Sequence, residues 1–147
     1  MGNSAFNDLA GTRTVAIAVN FIASAATRRV IILEHDDNVI IERVRFRHGV
    51  AITAHAANSK NLNLIHDTAA GGAATQVAFF DYDSPGPDNQ ALNAVQTLWT
   101  PTAAATVAGG QFAAGDTLFL ECETVGTGGT VEVCGSALVD YRVAETK

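Results

Sequence analysis

Four histidines, His35, His48, His55 and His66, are the side chains in this sequence best suited to holding a transition metal. A strand-borne metal centre wants two of them two residues apart, with a carboxylate nearby. None of the four has that spacing, and His48 and His55 are seven apart across a connection. They read as strand-end and surface histidines, so no metal ligand is assigned. Asp81, Asp83 and Asp88 gather around a proline loop, and oxygen-rich loops hold calcium. The EF-hand pattern is absent, and a solvated acidic loop is the simpler reading. Ser4, Ser24, Ser59, Ser84 and Ser136 lack the glycine-flanked elbow of a nucleophile. Gly126-Thr127-Gly128-Gly129 has no following lysine and opens no helix, which argues against a phosphate cradle. Glu121 and Glu123 lie two apart on one strand face. Paired carboxylates do acid–base work in some sites, but an exposed strand face explains these two. No catalytic residue and no cofactor is expected, and the chain does not read as an enzyme.

Arg43, Arg45 and Arg47 form the one charge pattern with a clear geometry. Strand side chains alternate, so the three share a face while Val44 and Phe46 take the other. Three like charges in a row repel, so carboxylates on neighbouring strands or an acidic partner surface must offset them. Nucleic acid is a poor candidate partner. The formal net charge is −6, and only Lys60 and Lys147 join the seven arginines as cations. Phosphate binding needs clustered positive charge.

The elements that carry these residues read as strands. At 147 residues the chain is one domain, able to bury roughly two-thirds of its unfolded surface. No run is long enough to span a membrane. Arg13, the apolar stretch 15–19 and Ala23-Ser24-Ala25 imitate a secretory signal, but Asn20 interrupts the apolar run and the alternation suits a strand. Met1-Gly2 lacks the serine or threonine that myristoylation wants at position six, which is Phe6.

Residues 1–11 are small and polar apart from Phe6 and Leu9, and read as a flexible N-terminal arm. Residues 12–147 read as the folded domain. Strands are expected over 12–21, 27–35, 39–50, 61–66, 74–82 and 93–100, with turns at 36–38 and 83–89. The last two strands are expected to form a β-hairpin over 111–143. Centred on Gly128, it sets Leu118 opposite Leu138, Leu120 opposite Ser136 and Cys122 opposite Cys134. Opposed strand residues have Cβ atoms about 4.5–5.5 Å apart, a little wide for a disulfide, so two small buried thiols are the simpler reading. The sum is an all-β, single-domain, jelly-roll-like β-sandwich of about eight antiparallel strands. The long connections 51–59 and 101–112 suggest crossings between two sheets.

The run Gln111 to Glu121, the Gly126-Thr127-Gly128-Gly129 tip and the segment Leu138 to Val143 resemble the small jelly-roll capsid decoration (cement) proteins of tailed bacteriophages. So do Glu42-Arg43-Val44-Arg45-Phe46 and Asn61-Leu62-Asn63-Leu64. The resemblance covers roughly residues 28–143 by pattern. It implies a structural virion protein on the outer capsid surface, assembled in the host cytoplasm. Its partners would be the major capsid protein and two further copies of itself in a homotrimer, with no direct nucleic-acid or membrane contact. Phe6, Leu9, Arg43, Arg45 and Arg47 are the candidate partner-binding residues. Two other readings compete. One is a carbohydrate- or receptor-binding β-sandwich with Tyr82, Trp99 and Tyr141 as an aromatic platform. The other is a cupin-like metal enzyme.

Overall fold

The computed structural model describes residues 11–21, 27–102, 110–126 and 132–144. Phe6 and Leu9, the rest of the arm before Gly11, and most of the tip at 127–130 lie outside them.

Among the described residues, nine strands form two antiparallel sheets. They are β1 (Arg13–Phe21), β2 (Arg28–Glu34), β3 (Val39–His48), β4 (Lys60–Asp67), β5 (Thr75–Asp81), β6 (Val95–Trp99), β7 (Gln111–Phe112), β8 (Thr117–Thr124) and β9 (Val133–Val143). The first sheet runs β1-β9-β3-β6, with the short β7 also on β3, and the second runs β2-β8-β4-β5. Only β4 and β5 are consecutive strands bonded to each other. Most other connections cross between layers, which is the winding of a jelly roll. The expected fold class holds, with β7 added where a turn was expected.

Alternation builds the core. Val39, Ile41, Val44, Phe46 and His48 of β3 all point inward and are buried. A bulge between Ile41 and Arg43 keeps the inward set in phase along β3. From the other sheet, Leu62 and Leu64 of β4 and Leu118, Leu120 and Cys122 of β8 meet them, each at most 2% exposed. Core side chains of this size contribute roughly 1.5–3 kcal/mol each when removed from water.

The expected hairpin over 111–143 does not form. β8 lies between β2 and β4, while β9 lies between β1 and β3 in the opposite sheet. Cys122 is opposite Arg28 and Leu62, and Cys134 is opposite Asn20. Both thiols are free. The reason is a face assignment. In β9 the residues turned to the core are Val133, Ala137 and Val139, all fully buried, while Leu138 lies on the outer side. Each arm thus has its own apolar face. Set in opposite layers, the two faces cover each other; in the expected register they would point to opposite sides of one sheet, and covering both would need a third layer.

Glycine permits two close approaches. Gly110 adopts φ 75°, and its carbonyl accepts the Ile41 N–H at 2.8 Å. A Cβ at Gly135 would lie 1.9 Å from the Arg47 carbonyl oxygen, so only glycine lets β9 lie this close to β3.

Phe46→Ala empties a fully buried site between the sheets. It is expected to lower unfolding free energy by roughly 3–5 kcal/mol, seen as a lower urea midpoint with an unchanged slope. A loss below about 1 kcal/mol would mean that the site is not packed as described.

Candidate docking surface

The arginine stripe is where alternation puts it. Arg43, Arg45 and Arg47 project from the outer face of β3, opposite the buried Val44 and Phe46. Their row crosses mostly uncharged neighbours. Arg45 is opposite Leu138 of β9 and Thr97 of β6; Arg47 is opposite Ser136 and Val95. Beyond β9 lie Ala16 and Ala18 of β1, both exposed. The result is a shallow sheet face with a cationic row.

One carboxylate organises that row. Asp140 of β9 is 4% exposed, yet lies on the outer side of its sheet. Arg43 donates from Nε to Oδ2 at 2.9 Å. Arg45 donates from Nη2 to both oxygens, at 2.9 and 3.0 Å. Thr14 of β1 donates its hydroxyl to Oδ1 at 2.7 Å. Burial pushes the Asp140 carboxyl up, but these hydrogen bonds outweigh it and hold it below the usual carboxylate range. Asp140 therefore ties three adjacent strands and relieves the repulsion between Arg43 and Arg45. Among the described residues Arg47 has no carboxylate partner. Of the two offsets open at the sequence level, the same-sheet carboxylate accounts for two arginines, and the third stays outward. Asp140 was not singled out from sequence. Its signal was a lone acid between Val139 and Tyr141 in a strand otherwise apolar or uncharged up to that point.

The other candidates fall apart as a site. His35 lies against the edge of Tyr141. His55 accepts the backbone N–H groups of Ala57 and Asn58. His48 is fully buried among Phe46, Tyr82 and Gln96. Its burial lowers the pKa, and the Gln96 hydrogen bond offsets that only in part. His66 pairs with Asp116 at 2.8 Å beneath an open cleft of about 460 Å³ lined by Asn38, Val39, Phe112 and Ala113. Asp116 also accepts the N–H groups of Ala69 and Ala113, so the pair stitches two loops to the sandwich end. Burial raises the Asp116 carboxyl, and these donors outweigh it and bring it below the ordinary range. Among the described residues no three His, Cys, Asp or Glu side chains converge as a metal set.

Glu121 and Glu123 share the outer face of β8, where Glu121 binds Arg29 and both accept the Asn63 amide. Asp81 is raised by burial and by Asp83, Asp88 and Glu123. The Cys122 thiol is pushed up to about 11, chiefly by burial, so it is a poor nucleophile. The aromatic platform is corrected. Tyr82 is fully buried between Phe80 and His48, and Trp99 and Tyr141 pack against the core. Those aromatics lie on inward faces because their strand partners, Val44 and Ile41, do.

No family model and no curated protein sequence matches the chain. Among solved structures, it is similar to the structure of the infectious bursal disease virus Gx strain at 10% identity and a TM-score of 0.42, over 93% of this chain and 33% of that one. It is also similar to the infectious bursal disease virus VP2 subviral particle at 12% identity and a TM-score of 0.40, over 90% and 33% respectively. The chain thus spans about a third of the length of these structures.

Two outcomes follow from the titrating groups. Asp140→Ala leaves Arg43 and Arg45 crowded without their shared acceptor, and is expected to cost roughly 1–3 kcal/mol, measured by urea unfolding at pH 7; an unchanged midpoint would show that the row needs no carboxylate. Secondly, His48 is held neutral in the fold, so below its ordinary pKa of 6.5 the unfolded chain takes the proton first. Stability is therefore full above that pH and declines as pH falls towards the lower folded value. His48→Gln should flatten this limb while leaving the steeper loss near pH 4 and below, where Asp116 and Asp140 protonate. A limb of the same slope in the variant would assign it to another group.

Proposed function

We propose that this chain is a structural virion protein, a capsid decoration or cement subunit that binds the outer surface of a phage head and bridges neighbouring capsid proteins. The observation that carries the reading is the arginine face. Arg43 and Arg45 are held by a buried carboxylate on a sheet face of otherwise uncharged neighbours, and Arg47 is left for a partner. Such a face suits an acidic protein surface, because the Arg43 and Arg45 guanidinium groups are already oriented and lose little freedom on binding. The jelly-roll winding supports the reading by analogy alone: this fold recurs in viral capsid proteins, but also in lectins and cupins. Self-association as a homotrimer fits a subunit at three-fold positions. There each copy would use two different patches, since a ring closes by rotation.

Co-sedimentation with particles of the virus that encodes the chain tests this. The wild-type protein should pellet with heads lacking it, and release should grow with salt, as for contacts between exposed charges. Arg47→Glu should weaken binding at least tenfold while leaving the fold intact. A chain that never pellets with heads, or an R47E variant that binds as tightly as wild type, would remove the assignment of this face.

A further inference from the structure

The sheet opposite the arginine face ends in two edges that match each other. In the order β2-β8-β4-β5, neither β2 nor β5 has a strand partner on its outer side among the described residues. An unpaired edge offers a row of backbone donors and acceptors to another chain. Natural edges are commonly blocked by lysine or proline, and neither occurs in Arg28–Glu34 or Thr75–Asp81.

Their side chains are complementary on the outer face. On β2, Arg29 and Ile31 lie two apart and face outward, opposite Glu121 and Phe119 of β8. On β5, Phe79 and Asp81 also lie two apart and face outward, opposite Asn63 and Asn61 of β4. Ile31 and Phe79 are 46% and 63% exposed, although both are large apolar residues. The Arg29 side chain is 51% exposed, and its contact with Glu121 uses Nε. At the other edge, the Asp81 carboxylate stands beside Asn61 of β4. The carboxylates of Asp83, Asp88 and Glu123 add negative potential there.

We propose that β2 of one copy pairs with β5 of a second copy, so that the sheet continues from subunit to subunit. Three antiparallel steps separate β2 from β5, so the two strands run antiparallel within one sheet. A neighbour set beside the first copy in the same orientation therefore brings its β2 antiparallel to β5. In the register that puts Arg29 opposite Asp81, Ile31 falls opposite Phe79. One register thus covers both exposed apolar side chains and brings a guanidinium to the acidic end of β5. Bulges near Ile32 and Val77 limit regular pairing to about 29–31 with 79–81. The contact joins two different patches, so copies close into a ring where the rotation closes and extend otherwise. It deepens the self-association in the reading above, but it is tested in solution with no capsid present. Failure here leaves capsid binding standing, and failure to bind capsid leaves this contact standing.

The test uses two variants, Ile31→Lys and Phe79→Lys, at positions exposed enough to keep the fold, which circular dichroism and the thermal midpoint verify. Light scattering after gel filtration gives the masses. Wild type should run above the monomer mass, and each variant alone should run as a monomer. I31K keeps an intact β5 edge and F79K an intact β2 edge, so an equimolar mixture should form a dimer that grows no further. Concentration-dependent slowing of amide exchange in β2 and β5 of the wild type is the second measurement expected to agree. The proposal falls if wild type stays monomeric with no such slowing, if either variant keeps the wild-type mass, or if the mixture remains monomeric. Assembly of the I31K variant to the wild-type size would point instead to β5 pairing with its own kind, and would equally overturn it.

Discussion

Everything in this molecule depends on two sheets hiding one face each against the other. Val44, Phe46, Leu64, Leu118, Leu120 and Val139 are fully buried, and they come from strands in both layers. Removing that much apolar surface from water is the main term opposing the ordering of the backbone. Alternation then dictates the rest. With one side of each strand committed to the core, the other side is left for water or partners, and each sheet has one outer face to offer.

The two outer faces are different in kind. One carries the arginine row, anchored by Asp140. The other carries Glu34, Asp67, Glu121 and Glu123 around an apolar row of Ile31, Phe119 and Ile65, with Arg29 among them. The chain as a whole is acidic, yet its charge is sorted by face. A sorted surface favours one orientation of approach over another, which an even mixture of charges would not do. The proposed face and edge contacts use separate parts of the sandwich, so neither would block the other.

Much of the architecture was legible because period-two alternation is a local signal. The first six strands lie within a few residues of their expected places, and Arg43, Arg45 and Arg47 share a face as their spacing requires. The error lay in pairing. Residues 117–124 and 133–143 both read as strands, but alternation alone does not say which sheet a strand enters. Leu138 also drew the inward assignment to the wrong parity, since Val133, Ala137 and Val139 outvote it in space. The cluster at Asp140 was hidden for a related reason. Thr14 and Asp140 are 126 residues apart, and only the β1–β9 register brings them together. The His66–Asp116 pair was likewise invisible, its members lying 50 positions apart.

β9 is the last of the nine strands, and it fills the slot between β1 and β3. During synthesis on the ribosome, this sheet therefore lacks its middle until residue 143 has cleared the exit tunnel. Until then β1 and β3 have no common neighbour. Folding of this layer waits on the arrival of one late segment. The cell must keep the waiting apolar strands apart for that interval, at a synthesis rate of about 5–20 residues per second.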